Sequence, residues 1–128
     1  MIALLDTHAA IWALEGDSRL GSDARKLIEA ADATQLCISD MTLLEIAMLI
    51  HKGRLANSGS EEALLKETAS KFKTLPINAS IAAEAFQLDL PQADAFDRII
   101  TATARYHQIK LITKDSCITS SKTVETVW

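Results

Sequence analysis

Cysteine, proline and glycine are all scarce in this 128-residue chain, at 2, 2 and 4 residues. So few glycines and prolines exclude a collagenous or low-complexity polymer. Cys37 and Cys117 are too few for a disulfide scaffold, and neither belongs to a Cys-x-x-Cys pair. Both read as core filler. Aromatic residues make up only 5% of the chain; Trp12, Phe72, Phe86 and Phe96 fall at helical positions and read as core. Positive charge is short as well: 13 Lys and Arg against 17 Asp and Glu leave a net charge of −4. That sign excludes a domain that holds nucleic acid by bulk electrostatics. Action on a polyanion would need a metal or a local basic rim, and a basic partner protein would also suit the charge. No apolar run approaches the ~18 residues of a membrane span. Met1–Leu5 is apolar but meets Asp6 at once, with no basic leader. No export signal is therefore expected, and the expected setting is cytoplasmic with reduced thiols.

Several catalytic signatures are missing too. Gly16 and Gly21 have phosphate-loop spacing, but Ser22-Asp23 stands where Lys-Ser/Thr is required. There is no GxGxxG, no HExxH among His8, His51 and His107, and no GxSxG elbow.

What is present is a chain that is 48% hydrophobic, in alternating short strands and amphipathic helices. Ile2–Leu5 reads as a buried strand. Thr7 is expected to cap a helix over Ala9–Glu15, and Ser22 or Asp23 to open a second to about Ala31. Gln35–Ser39 reads as a strand, then Ser39 or Asp40 caps a helix over Met41–Lys52 that Gly53 ends. Gly53–Ser60 reads as a loop. Ser60, with Glu61 and Glu62, opens a helix to about Phe72. Thr74–Ile77 contains Pro76 and reads as an edge strand. Asn78–Leu88 is expected to be helical, as is the stretch from Asp94 to about His107. Lys110–Thr113 and Thr123–Trp128 read as the last strands. The alternation implies one α/β domain over residues 1–128 with parallel βαβ units and helices on both faces. In such folds the crevice lies beyond the carboxyl ends of the strands.

That rule singles out carboxylates. Asp6 follows the first strand directly, and Asp115 comes two residues after Lys110–Thr113. Asp94 and Asp97 share one face of a helix start. Glu45 lies in a helix, Met41–Ile50, that is apolar nearly all round, with its nearest base, Lys52, seven residues away. An acid buried there must be paired or bound to a cation. The other reading is an ion pair with a distant Arg, or a register that exposes it. Two carboxylates ~4 Å apart at an effective dielectric of ~20 repel by about 4 kcal/mol. A domain has a net stability of only ~5–15 kcal/mol. Three or four such acids need protons or a divalent cation, and oxygen-only donors suit Mg²⁺ or Mn²⁺. Arg98, Lys114, Lys52 and Arg54 are the cations nearest the expected crevice. They would grip phosphates there, or are ordinary solvated charges.

Certain segments carry a resemblance. They are Leu4-Leu5-Asp6-Thr7-His8 with Trp12-Ala13-Leu14, Ser39 through Ala47, Lys52-Gly53-Arg54-Leu55, Leu90-Pro91, Asp94-Ala95-Phe96-Asp97-Arg98, Leu111 through Asp115, and Val124 through Trp128. Together they resemble PIN-domain ribonucleases, specifically VapC-like toxins of type II toxin–antitoxin pairs, over essentially the whole chain. The resemblance implies a three-layer α/β/α fold with a central, mainly parallel sheet. It implies Asp6, Glu45 and Asp97 as the core acids, Asp115 as the fourth and Asp94 as an accessory, holding Mg²⁺ or Mn²⁺ for RNA cleavage. It also implies a homodimer and an antitoxin whose tail crosses the groove. Ala95, Gln92 and Leu49 stand where the family often has Pro, His and Lys; the metal ligands are untouched. Two other readings are a catalytically silent binding module on the same fold and a phospho-acceptor receiver-type domain. The latter would need Asp40 and Lys114 in roles that leave Glu45 unexplained.

Overall fold

The apolar segments become strands because each is short, continuous and bounded by a capping or turn residue. The computed structural model describes residues 1–128. In chain order the elements are β1 (Ala3–Leu5), α1 (Thr7–Glu15), α2 (Ser22–Ala30), β2 (Leu36–Ser39), α3 (Asp40–His51), α4 (Glu61–Lys71), β3 (Lys73–Leu75), α5 (Ala79–Gln87), α6 (Ala95–His107), β4 (Lys110–Ile112), α7 (Ser116–Ser121) and β5 (Thr126–Val127). The sheet order is β3-β2-β1-β4-β5, and every pairing is parallel. β3 is an edge strand as expected, and Pro76 lies just past it.

Side chains alternate across the sheet. Ala3, Leu5, Leu36, Ile38 and Ile112 pack with Ile11, Trp12, Ile46 and Leu49 on one face. Leu4, Cys37 and Leu111 pack with Ile100, Ala104 and Ile118 of α6 and α7 on the other. A third cluster joins α5 to α6 through Ile81, Ala85, Leu90 and Ala102. The result is the expected three-layer α/β/α arrangement. No helix is long and apolar enough to cross a membrane.

Four details differ from the sequence reading. Asp6, not Thr7, caps α1, accepting from Ala9 N at 2.8 Å. A short helix, α7, occupies Ser116–Ser121, where no element was expected. The final strand is only Thr126–Val127. Phe86 is 69% exposed rather than core, with the Arg98 guanidinium 5.9 Å from its ring.

The chain's last residues are seated on α2. Trp128 O accepts from Asp23 N at 3.0 Å and Ala24 N at 3.3 Å. A Cβ at Gly21 would come within 2.4 Å of the Trp128 carbonyl carbon and 2.7 Å of its ring. Gly21 has φ −62 and ψ 155, which any residue adopts, so the constraint is space rather than backbone conformation. Gly21→Ala is expected to lower stability by about 1–3 kcal/mol through overpacking. The measurement is a lower urea midpoint at an unchanged m-value.

Candidate active site

The switch point of the sheet lies between β1 and β4, where the chain first runs outward through β2 and β3 and then returns on the other side of β1. Loops leaving the carboxyl ends of these two strands diverge and open a crevice. Asp6 leaves β1 there. Thr113 and Asp115 leave β4. A crevice of about 430 Å³ opens at this point, and Asp6, Glu45, Asp94, Asp97 and Asp115 all line it. Every acid singled out in the sequence therefore faces one hollow.

Three of these acids serve two purposes. Asp6, Asp94 and Asp115 are the N-caps of α1, α6 and α7, accepting from Ala9 N, Asp97 N and Ile118 N. Each cap leaves a second carboxylate oxygen free of that bond. Helix N-termini favour negative charge and offset part of the mutual repulsion. The second oxygen of Asp6 accepts from Thr113 Oγ1 at 2.5 Å, and Thr113 Oγ1 in turn accepts from Asp115 N at 3.1 Å. One buried hydroxyl thus ties the β1 acid to the β4 loop.

Glu45 projects from the second turn of α3 and is 9% exposed. Its Oε1 accepts from Thr7 Oγ1 at 2.5 Å, and Thr7 Oγ1 lies 3.4 Å from Thr42 Oγ1. No arginine reaches it. None of the five ion pairs in the structure involves an acid of the crevice. No ion pair neutralises these acids, and the titration behaviour follows. Burial pushes the Asp97 carboxyl up to about 7, with the charges of Asp94, Asp115, Glu45 and Asp6 acting in the same direction. Burial also raises Asp6 and Glu45, partly countered by the hydroxyls of Thr113 and Thr7.

Cationic and aromatic groups share the hollow with the acids. Arg19, Lys114, His8 and Trp12 complete the lining together with Thr7. Arg19 and the buried Trp12 were missed as site residues, as were the hydroxyls of Thr7 and Thr113. A hydroxyl residue within two positions of an acid at a strand end, as in Asp6-Thr7 and Thr113-Lys114-Asp115, is the signal that would have found the last two. Arg98 is a correction. It does not line the crevice and donates instead to the carbonyls of Ala85, Leu88 and Leu90 at 3.2, 3.0 and 2.6 Å. Arg54 lies in a small adjoining pocket of about 100 Å³ with His8, Trp12 and Arg19. Cys37 and Cys117 are both free thiols, the first buried and the second half-buried.

The donor set is oxygen-only, negatively charged and unpaired, which is the chemistry that hard divalent cations take. The acids ring the hollow rather than close on a point: no three His, Cys, Asp or Glu side chains stand at ligand spacing. A cation there would keep part of its water shell, as Mg²⁺ habitually does.

Comparison with known proteins matches residues 3–119 to the PIN domain. The chain belongs to the PIN-domain family. The PIN domain here is 34% identical to Ribonuclease VapC22 of Mycobacterium tuberculosis (strain ATCC 25618 / H37Rv), over 98% of this chain and 97% of that protein. Its fold is similar to a toxin–antitoxin complex from Klebsiella pneumoniae, with a TM-score of 0.69 and 26% identity, covering 98% of this chain and 96% of that one. It is also similar to VapBC2 from Rickettsia felis bound to a promoter DNA fragment, with a TM-score of 0.73 and 17% identity, covering 99% and 98%. The last comparison bears on the fold alone.

Proposed function

We propose that this PIN domain is a divalent-metal-dependent endoribonuclease, the toxin of a toxin–antitoxin pair. The observation that carries the reading is the convergence of Asp6, Glu45, Asp97 and Asp115 on one hollow, with no ion pair to any of them. The full-length similarity to a ribonuclease and to a toxin–antitoxin complex supports it. Asp6, Glu45 and Asp97 hold Mg²⁺ or Mn²⁺, Asp115 assists and Asp94 is an accessory. When bound, such a cation supplies Lewis acidity and charge neutralisation for attack of water on a phosphodiester. The chain's own part is positioning. Thr113 fixes the second oxygen of Asp6, and Thr7 fixes Glu45, so neither carboxylate must be reoriented for each turnover. The partner is an antitoxin that presents basic groups to the acidic hollow, in keeping with the net charge of −4. The setting is cytoplasmic.

Purified, antitoxin-free protein is expected to cut RNA with Mg²⁺ or Mn²⁺ and to stop in EDTA. Asp6→Asn combined with Asp97→Asn is expected to reduce cleavage by at least about 10³-fold, because both losses fall on the same ion. Cleavage that survives the double substitution overturns the reading. Absence of divalent-cation binding by calorimetry points instead to a silent binding module.

A further inference from the structure

Lys114 lines a hollow ringed by five carboxylates, yet it forms an ion pair with none of them. Its Nζ instead stands 4.6 Å from the centroid of the Trp12 ring. The Arg19 guanidinium lies 4.8 Å from the same centroid. Arg19 is also forked onto Asp17, with Nε 3.1 Å from Oδ1 and Nη2 2.8 Å from Oδ2. Asp17 does not line the hollow. The ring is itself fixed: Trp12 is 5% exposed, with Trp128 edge-on at 5.8 Å and His8 at 5.6 Å.

A lysine on a flexible stem beside so many acids would ordinarily swing onto one of them and compete with a cation for it. The negative face of an indole ring gives both positive groups another place to rest. The two cations are thereby held off the acids with which they share the hollow. Trp12 is too well covered to stack on a base, so it serves as a back-plate for the cations. Lys114 and Arg19 are exposed and keep donors to offer. A polynucleotide needs both kinds of group: the acids with their cation at the bond that breaks, and fixed positive charge for neighbouring phosphates.

We propose that Lys114 and Arg19, seated on Trp12, form the phosphate-gripping wall of this hollow and bind the RNA backbone next to the bond that is cut. The proposal rests on the ribonuclease reading above. Lys114 and Arg19 touch substrate; Trp12 is a positioning residue that acts through them. Arg54, in the adjoining pocket, continues the positive track.

The test is steady-state cleavage of a fluorophore–quencher RNA oligonucleotide, the best-cut member of a random single-stranded pool, by the full chain with Mn²⁺. Lys114→Gln and Arg19→Gln are each expected to raise KM about tenfold with kcat within about twofold, as for loss of one charge-assisted contact. The salt dependence of log kcat/KM should become shallower by about 0.7 per substitution. The rise in melting temperature on adding Mn²⁺ should be unchanged. Trp12→Phe should retain the wild-type KM, whereas Trp12→Leu should raise it, and only while Lys114 and Arg19 are present. An unchanged KM and salt slope in the double Gln variant overturns the proposal and leaves the ribonuclease reading intact. So does a loss confined to kcat, or a lost Mn²⁺ response. Absence of any metal-dependent cleavage by the wild type overturns both.

Discussion

In EDTA at pH 8, Asp97→Asn is expected to melt several degrees above the wild type, and to lose most of the further rise that Mg²⁺ or Mn²⁺ gives the wild type. The Asp97 carboxyl stands at about 7 in the folded protein, against 3.8 for an ordinary Asp, chiefly because of burial and then because of Asp94, Asp115, Glu45 and Asp6. Between about pH 4 and pH 7 the folded chain therefore holds a proton that the unfolded chain has released. Stability falls as pH rises whenever the native state binds more protons, so the metal-free protein weakens through this window and stands at its lowest above it. Asp6 and Glu45 are raised and act in the same direction. Asp97 is half-buried, so solvent screening reduces the contribution to about 1–2 kcal/mol. An amide of the same shape carries no charge and removes that loss. A cation at 100 times its dissociation constant adds about 2.7 kcal/mol to the wild type, which the variant forgoes. Melting curves at pH 5 and pH 8, with EDTA and with Mg²⁺, give four values per protein. A wild type equally stable at both pH values without metal would contradict the electrostatic account of the hollow.

Sequence patterning carried most of the fold, because strands buried on both faces are continuous apolar runs and each is followed by a capping residue. The acids were legible for a related reason. Parallel α/β topology determines which end of a strand faces a ligand, so Asp6 and Asp115 stand out by position, and Glu45 by being charged on an apolar helix. Their convergence was beyond local pattern. It depends on the strand order β3-β2-β1-β4-β5, which sets β1 beside β4 across more than a hundred residues. The hydroxyls of Thr7 and Thr113 carry only one cue, the acid close to each in sequence, and it is weak because threonine caps, packs and bonds to carboxylates with equal ease. Arg19 and Trp12 look like surface and core when read along the chain; only the fold turns one onto the other. α7 was missed because a six-residue helix has too few residues to show a period.

Arg98 is the residue whose role the fold reverses, and it carries the second large effect. Adjacent to Asp97 in sequence, it looks like a phosphate ligand; in space it is a staple. Its guanidinium donates to Ala85 O, Leu88 O and Leu90 O, carbonyls at the end of α5 and in the turn before Pro91; Leu88 O and Leu90 O each accept one backbone N–H as well, from Leu90 and Ala93, so the guanidinium ties together a turn that is already partly bonded. Leu90 is fully buried, so water is a poor substitute. Arg98→Met should cost about 3–5 kcal/mol: each charge-assisted bond contributes about 1.5–3 kcal/mol, and three that share one side chain do not add in full. Arg98→Lys should recover only part of this, since one ammonium cannot reproduce a fork reaching three carbonyls. The turn so held runs on to Asp94, which caps α6 and lines the hollow, so activity should fall with the folded fraction. Measured at a temperature where Arg98→Lys is fully folded, KM for RNA and its salt slope should match the wild type, the opposite of Lys114→Gln. An Arg98→Lys protein of full stability with a raised KM would return Arg98 to the substrate and remove the staple from the account of α5 and α6.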